Sequence, residues 1–360
     1  MTIGTAHPKW NDLARVLVDY STGVRSGDKV LIIMREPDTF PAVRAVHKRA
    51  VETGAHVQTL FYSMMLQRDL LLSGEDNQVS WVPELWKEAM HWADVCIDLR
   101  GARNLNEFND IPSERVTAMR KAEGEISSLR TTETRWTLLR IPNEAFAQQA
   151  GMSTDQIEDF LFQAVLQDWK VESAEYHRMR DSLAGTDEVV ITGLKTDIRF
   201  STEGRRYIVE DGHINMPGGE LYTSPVEDSV QGEIYFENPG VFAGTLIEGI
   251  HLHFRDGKVV DASARTNEPF LHQLLDMDSG ARRVGEFGIG TNRQITTFCN
   301  DILFDEKILG TIHLALGRSY SDCGGLNSSA LHWDIVKDLR QQGTITVDGK
   351  VVFMDGHWDI

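Results

Sequence analysis

The chain has 360 residues, 41% of them apolar and 25% charged, which is ordinary for a globular protein and long enough for two domains. Its 36 basic and 54 acidic residues give a net charge of −18, so neither nucleic acid nor an anionic membrane surface is an expected partner. The first nine residues have no long apolar run, and no segment reaches the roughly 18 uninterrupted apolar residues of a membrane span, so neither a signal peptide nor a span is predicted. Three widely spaced cysteines indicate a reducing, cytoplasmic setting without disulfides.

The first half of the chain alternates helix and strand patterns. Apolar positions between Asp12 and Tyr20 share one helical face, and Pro41 lies early in a second helix that Gly54 ends. Strands separated by helices of this length indicate a parallel sheet covered by helices on its faces. The strands predicted in this half lie at residues 30–34, 57–62, 92–99 and 137–141.

One more predicted helix precedes a change of pattern near residue 187. Ser153–Gln156 is a capping-box pattern, and the helix that it begins is expected to continue past Trp169. From about residue 187, short alternating segments separated by Gly and Asp turns predict strands. We therefore predict an α/β fold with an amino-terminal α/β domain (1–186) and a mixed α+β, strand-rich metal-binding domain (187–360). No glycine-rich segment has the spacing of a nucleotide-binding loop, so no nucleotide cofactor is expected.

Acids and histidines concentrate in the second half, in short segments flanked by glycine. His332 and Asp334 are two residues apart, so an extended segment would place both on one face, as ligands of zinc, manganese or iron. His313 lies in an apolar run, where a satisfied core histidine is the more common explanation. A surface turn or a first helical turn would equally explain three acids, Glu220, Glu286 and Glu306.

Five segments occur in a fixed order along this half of the chain. They read N-M-P-G-G-E-L-Y-T-S-P (Asn215–Pro225), D-S-G-A-R-R-V-G-E (Asp278–Glu286), L-F-D-E (Leu303–Glu306), H-L-A-L-G (His313–Gly317) and G-L-N-S-S-A-L-H-W-D (Gly325–Asp334). Together they resemble the signatures of the thermophilic-type metallo-aminopeptidases, the group that contains aminopeptidase T and aminopeptidase S. Five ordered matches are far more specific than any one of them.

The resemblance implies an enzyme that removes amino-terminal residues from peptides, or acts on a small amide with a free amino group. It also implies a homodimer that encloses the site and an amino-terminal domain that binds substrate. Tyr320, seven residues after His313, falls at the position of a tyrosine that lines the family's site. The resemblance further implies two divalent metals held by Glu220, Glu286, Glu306, His313, His332 and Asp334. Ligands without sulfur suit zinc, cobalt, manganese or magnesium, and the sequence does not choose among them.

The expected chemistry is two-metal amide hydrolysis. Two metals can share a bridging hydroxide and polarise the carbonyl, an arrangement that favours a bridging carboxylate, for which we choose Glu286. Tyr320 would donate a hydrogen bond to the oxyanion, and Glu306 is either a ligand or the general base. The chain departs from the family pattern in three places: after Glu286, between Glu306 and His313, and in a short loop before His332. These departures lie around the expected substrate pocket, so they affect the identity of the substrate more than the binding of the metals.

The main rival function is that of an oxygenase. The mononuclear iron dihydroxypyridine dioxygenases resemble the same scaffold, with one metal position lost and a histidine where Glu286 stands. Because this chain keeps Glu286 and the other ligands of the second metal, hydrolysis is favoured. Two further functions are compatible with the sequence, a two-metal amidase for a small non-peptide amide and a catalytically silent binding module.

Overall fold

The computed structural model describes residues 8–242 and 244–359. A π-helical turn over Val16–Ser21 extends the first helix. The helices, in chain order, are α1 (Lys9–Arg15), α2 (Phe40–Glu52), α3 (Met64–Ser73), α4 (Asp76–Val79), α5 (Glu84–Trp92), α6 (Ser113–Glu133), α7 (Glu144–Ala150), α8 (Thr154–Val165), α9 (Trp169–Leu183), α10 (Glu268–Leu275) and α11 (Ile302–Asp305). Among the described residues, no helix is both long enough and apolar enough to cross a membrane.

Strands dominate the second half. They are β1 (Lys29–Arg35), β2 (His56–Tyr62), β3 (Val95–Arg100), β4 (Arg135–Arg140), β5 (Glu188–Gly193), β6 (Thr196–Ser201), β7 (Ile208–Glu210), β8 (Asn215–Met216), β9 (Glu220–Thr223), β10 (Gln231–Phe236), β11 (Gly240–Phe242), β12 (Thr245–Ile247), β13 (Ile250–Arg255), β14 (Lys258–Ser263), β15 (Val284–Gly290), β16 (Thr311–Gly317), β17 (His332–Asp338), β18 (Thr344–Val347), β19 (Lys350–Met354) and β20 (His357–Trp358).

The chain forms two compact units. The first extends to Gln167 and includes Gly212–Pro217, and the second comprises Asp168–Asp211 and the chain from Gly218 onward. The domain division that the sequence suggests near residue 186 stays a prediction; α9, which precedes that position, packs within the second unit.

The first unit is built on a parallel sheet of order β2-β1-β3-β4-β8. Leu31 and Ile33 of β1 pack on one face of the sheet against Met90 of α5 and Ile126 of α6. Helix α2, which connects β1 to β2, packs on these two strands. The predicted parallel sheet with helices is confirmed, and so is the strand-rich second half.

The second unit contains a five-stranded antiparallel sheet, of order β17-β16-β15-β9-β7, and an eight-stranded sheet, of order β14-β13-β10-β6-β5-β18-β19-β20. Every residue of β15 and β16 is buried, so both faces of the five-stranded sheet are covered at its centre. Phe287 of β15 lies 5.0 Å from Phe200 of β6, ring centroid to ring centroid, so one face of this sheet packs on the eight-stranded sheet. Phe287 alternates with Glu286, which faces the other side.

The prediction of one helix from Ser153 past Trp169 is wrong. The capping box is present, and Ser153 and Gln156 bond reciprocally, but α8 ends at Val165. Leu166 leaves the helical conformation at ψ 70°, and the Asp168 carboxylate then accepts hydrogen bonds from the backbone of Lys170 and Val171 to begin α9. A new N-cap therefore interrupts a continuous amphipathic pattern.

A buried carboxylate in β3 ties the first unit together. Asp98 accepts hydrogen bonds from Nε of Arg35 at 2.7 Å, Nη1 of Arg130 at 2.9 Å and Nε of Arg100 at 3.2 Å. Burial alone would raise the pKa of Asp98, but the guanidinium groups outweigh it and lower the pKa to about 2. The ionised carboxylate thus joins the ends of β1 and β3 to α6.

Asp98→Asn should lower the free energy of unfolding by about 3 kcal/mol or more, because buried guanidinium groups would lose their counter-charge. Since folding lowers the pKa of Asp98, its stabilisation is fully present above about pH 4 and is lost as the pH falls towards 2. Urea unfolding at pH 7 and pH 3 measures both effects. Asp12→Asn, at an exposed ion pair with Arg15, is the control and should change little. Equal unfolding curves for the two variants would contradict this role of Asp98.

Candidate metal centre

One face of the five-stranded sheet carries a group of acids and histidines. Cross-strand register aligns Asp334 with Ala315 and Ala315 with Glu286, so the small alanine separates the two acids. His313 is opposite Gly288, and Glu220 is opposite Gly290. Directly opposite residues of antiparallel strands share a face. The ligating types that β9, β15, β16 and β17 carry on this face include Glu220, Glu286, His313, His332 and Asp334.

Glycine on β15 makes room for a buried imidazole. A Cβ added at Gly288 would overlap the His313 ring. His313 is fully buried, and its ring occupies the space that a side chain at Gly288 would take. A β-bulge between Val284 and Glu286 also shifts the register there, and such bulges re-aim a side chain. The G-E-F-G-I-G sequence thus places one carboxylate on this face next to two positions, Gly288 and Gly290, that have no side chain.

The carboxylate of Glu286 faces two histidines at once. Its Oε1 lies 3.4 Å from Nε2 of His313, and its Oε2 lies 3.3 Å from Nε2 of His332. Each histidine has a further acid beside it. Glu220 Oε1 is 3.1 Å from Nε2 of His313, and Asp334 Oδ2 is 3.7 Å from Nε2 of His332.

These side chains form overlapping groups whose donor atoms lie within 4.8 Å of one another. Two of the groups share only Glu286: one adds Glu220 and His313, and the other adds His332 and Asp334. A third group joins Glu306, from the end of α11, to His313 and Asp334. The structure therefore brings all six residues of the sequence-predicted ligand set together.

The backbone orients His332. Its Nδ1 lies 2.9 Å from the carbonyl oxygen of Arg318. Because a carbonyl can only accept, Nδ1 carries the hydrogen, and Nε2 is the nitrogen that faces Glu286 and Asp334. A hydrogen bond of this kind to the far nitrogen is the usual support of a metal-bound imidazole.

The electrostatics of the site fit divalent cations. Four carboxylates (Glu220, Glu286, Glu306 and Asp334) lie around one lysine ammonium, so when all four are ionised 4 − 1 = 3 negative charges are left to the histidines and any bound cation. Burial, reinforced by Glu220 and Asp334 and partly offset by Lys307, raises the pKa of Glu306 to about 8. Burial and neighbouring acids likewise raise the pKa of Asp334. Hydrogen bonds from His313 and His332 overcome burial and lower the pKa of Glu286 to about 2. Oxygen and nitrogen donors at this charge density suit divalent metals.

Lys307 is a site residue that the sequence patterns did not reveal. Its side chain is fully buried, and its Nζ lies 3.3 Å from Glu220 Oε2 and forms a shorter ion pair with Glu306. The nearby acids outweigh the effect of burial and raise its pKa, so the ammonium stays charged. The sequence offered one hint of this role: Lys307 directly follows a predicted ligand and precedes the apolar Ile308-Leu309 pair.

Two tyrosines border the acids. The Tyr320 hydroxyl lies 3.3 Å from Nε2 of His332, and burial together with Glu286 and Asp334 raises its pKa, so the phenol stays protonated. Tyr222 packs edge-on against Tyr320, with ring centroids 5.7 Å apart. Tyr320 was predicted from the sequence and Tyr222 was missed, although Tyr222 follows Glu220 at the two-residue spacing that puts both on one strand face.

Comparisons with known proteins cover nearly the whole chain. The profile of the family described as thermophilic metalloprotease (M29) matches residues 6–358. Aminopeptidase 2 of Geobacillus stearothermophilus shares 26% identity over 96% of each chain.

Two solved structures share the fold over nearly their full lengths. Wild-type AmpT from Thermus thermophilus has a TM-score of 0.86 at 22% identity, over 98% of this chain and 99% of that one. The 2,5-dihydroxypyridine dioxygenase from Pseudomonas putida KT2440 has a TM-score of 0.66 at 14% identity, over 97% and 96%. The fold is therefore compatible with both the hydrolase and the dioxygenase that the sequence suggests.

Gly288→Ala should reduce metal affinity at least about 10-fold, because the added methyl would displace the His313 ring from Glu220 and Glu286. The measurement is zinc or manganese titration by calorimetry. Gly124→Ala is the control, because a Cβ there meets nothing within 4 Å and alanine favours the α6 helix. Unchanged metal affinity in Gly288→Ala would show that the His313 position does not matter for binding.

Proposed function

The chain belongs to the thermophilic metalloprotease (M29) family, and we propose that it is a two-metal aminopeptidase that removes amino-terminal residues from peptides. The observation that carries the two-metal part is the Glu286 carboxylate, whose oxygens face His313 and His332 separately. The peptide part rests on the family and on the aminopeptidase that shares 26% identity over 96% of the chain.

We assign the six residues to two positions that share Glu286. Glu220 and His313 would hold one ion with Glu286, and His332 and Asp334 would hold the other. Glu306 also reaches His313 and Asp334, so it would complete either position. Two divalent ions bring four positive charges, one more than the three uncompensated carboxylates, which leaves room for an anionic reactant.

When bound, two such ions would activate a water molecule and polarise the scissile carbonyl. The chain's own groups would supply the rest. The Tyr320 phenol, kept protonated by burial and by the acids, can donate a hydrogen bond to the oxygen that becomes negatively charged. Lys307 fixes the positions of Glu220 and Glu306 through its ion pairs and is itself a positioning residue.

The site offers two ways to bind a free amino group. One of its carboxylates can pair with the ammonium form, and a bound metal can take the neutral amine as a nitrogen ligand. We propose that one of these acids, or a bound metal, receives the amino group, which limits the enzyme to the ends of peptides. A small amide with a free amino group would meet the same requirement.

The dioxygenase is the second candidate because its fold matches this one over almost the whole chain. Glu286 argues against it, because a carboxylate that faces two histidines suits two ions better than a single iron. Metal count and product distinguish the two functions.

Metal-loaded protein should bind two divalent ions per chain and release free amino acids from short peptides. Glu286→Gln and His332→Ala should each lower metal content and reduce activity more than about 100-fold, since even residues that only support ligands account for 10–100-fold. Glu203→Gln and His253→Ala, both exposed in the same unit, are the matched controls. One iron per chain with oxygen consumption on a hydroxylated pyridine would refute the hydrolase, and so would full activity in either site variant.

Tyr320→Phe should leave metal content unchanged and lower kcat about 100-fold with little change in KM, because an oxyanion donor acts in the transition state. Tyr235→Phe, a half-buried tyrosine on β10, is its control. In the same assays, Glu306→Gln lowers metal content if Glu306 is a ligand and lowers only kcat if it is the general base. A Tyr320→Phe enzyme with normal kcat would remove the phenol from the mechanism.

We further propose a cytoplasmic homodimer. The family resemblance implies the dimer, and three free, buried cysteines (Cys96, Cys299 and Cys323) are consistent with a reducing compartment.

A further inference from the structure

A pocket of about 980 Å³ lies within the first unit, and every residue that lines it belongs to that unit. The final residues of β1, β2, β3 and β4 all contribute to its wall: Arg35, Tyr62, Arg100 and Arg140. The pocket therefore lies at the carboxyl edge of the parallel sheet. None of the six residues of the metal centre belongs to this unit.

The strand order places a topological switch point at this edge of the sheet. In the order β2-β1-β3-β4, the chain leaves β1 towards β2 on one side and continues from β3 to β4 on the other. The connections therefore diverge between the ends of β1 and β3, where Arg35 and Arg100 lie. Open parallel sheets bind ligands in the crevice at such a point.

The wall of the pocket is strongly cationic. Five arginines and a single acid, Glu123, are among its lining residues. Arg140 has a partner of its own, and Asp98, beneath the wall, neutralises one further positive charge, so 4 − 2 = 2 positive charges are uncompensated in a chain whose net charge is −18. Excess cations at a partly buried wall disfavour the empty pocket and favour an anionic occupant.

Two of the arginines, Arg35 and Arg130, are held in place by aromatic rings. Arg35 stacks over the Tyr62 ring at 4.6 Å, and Arg130 stacks over the Trp136 ring at 4.4 Å. Arg130 is 93% buried at its side chain, and its Nε has no hydrogen-bond partner among residues 8–242 and 244–359. Burial and the like charges of Arg35 and Arg130, only partly offset by Asp98, lower the pKa of Arg100. Guanidinium groups fixed by aromatic rings and a buried carboxylate form a preorganised anion site.

The rest of the lining is apolar and aromatic. Trp81, Trp86 and Phe108 line the pocket together with Met64 and Leu105. Small-molecule pockets of about 300–1,000 Å³ commonly combine such walls with a few charged groups that set the orientation of the ligand.

We propose that the first unit binds a small organic anion, a carboxylate or phosphate carried on an apolar or aromatic body, in this pocket at the ends of β1 and β3. Arg35, Arg100 and Arg120 hold the anionic group, and the tryptophans contact the body. The anion site does not depend on the proposed peptidase activity. Its residues lie in the first unit, and the proposed metal ligands lie in the second.

Calorimetry on metal-loaded, full-length protein tests the proposal with three probes: N-acetylphenylalanine, phenyl phosphate and neutral benzyl alcohol. At least one anion should bind saturably, and benzyl alcohol should bind at least 10-fold more weakly. The tighter of the two anions identifies the anionic group. Arg100→Met should weaken anion binding at least 10-fold, and so should Arg120→Met, whose exposed side chain puts the fold at less risk.

Arg44→Met is the matched control, because it removes the same charge from an exposed position on α2 and should leave binding unchanged. Glu286→Gln should also retain anion binding, which separates this pocket from the metal centre. The proposal is overturned if neither anion binds below about 10 mM. It is equally overturned if both pocket variants bind as the wild type does, or if Glu286→Gln abolishes binding.

Discussion

The candidate metal centre depends on one buried carboxylate that faces two imidazoles. Glu286 points one oxygen at His313 and the other at His332, so a single side chain on the central strand connects two groups of ligating atoms. Without compensating cations, such a concentration of acids would be costly to bury, as the raised pKa values of Glu306 and Asp334 show. The surrounding structure keeps these charges together.

The five-stranded sheet brings these charged side chains together through its register and its small residues. Gly288 and Ala315 leave space on the site face, while bulky side chains such as Phe287 anchor the opposite face. Lys307 adds a permanent positive charge that does not depend on metal loading. A similar principle holds in the first unit, where Asp98 fixes three guanidinium groups at the edge of a parallel sheet. In each unit a buried ion of one sign fixes two or three ions of the other sign.

Sequence patterns predicted the parts of the fold that depend on local periodicity, and they missed those that depend on tertiary contacts. The buried strands of the first unit were found because their apolar runs are continuous, whereas the break between α8 and α9 depends on a single N-cap, Asp168. The six proposed ligands came from ordered signatures, since no single acid or histidine was distinctive alone. Lys307 was missed because lysines are rarely buried, and Gly288 because its role requires knowing that His313 lies across from it.

Anomalous diffraction from crystals of the zinc- or manganese-loaded protein is the most direct test of a metal centre bridged by Glu286. Two metal peaks per chain are expected about 3.5–4 Å apart, with the Glu286 carboxylate in contact with both. A single peak, or two peaks of which Glu286 contacts only one, would contradict the bridging role.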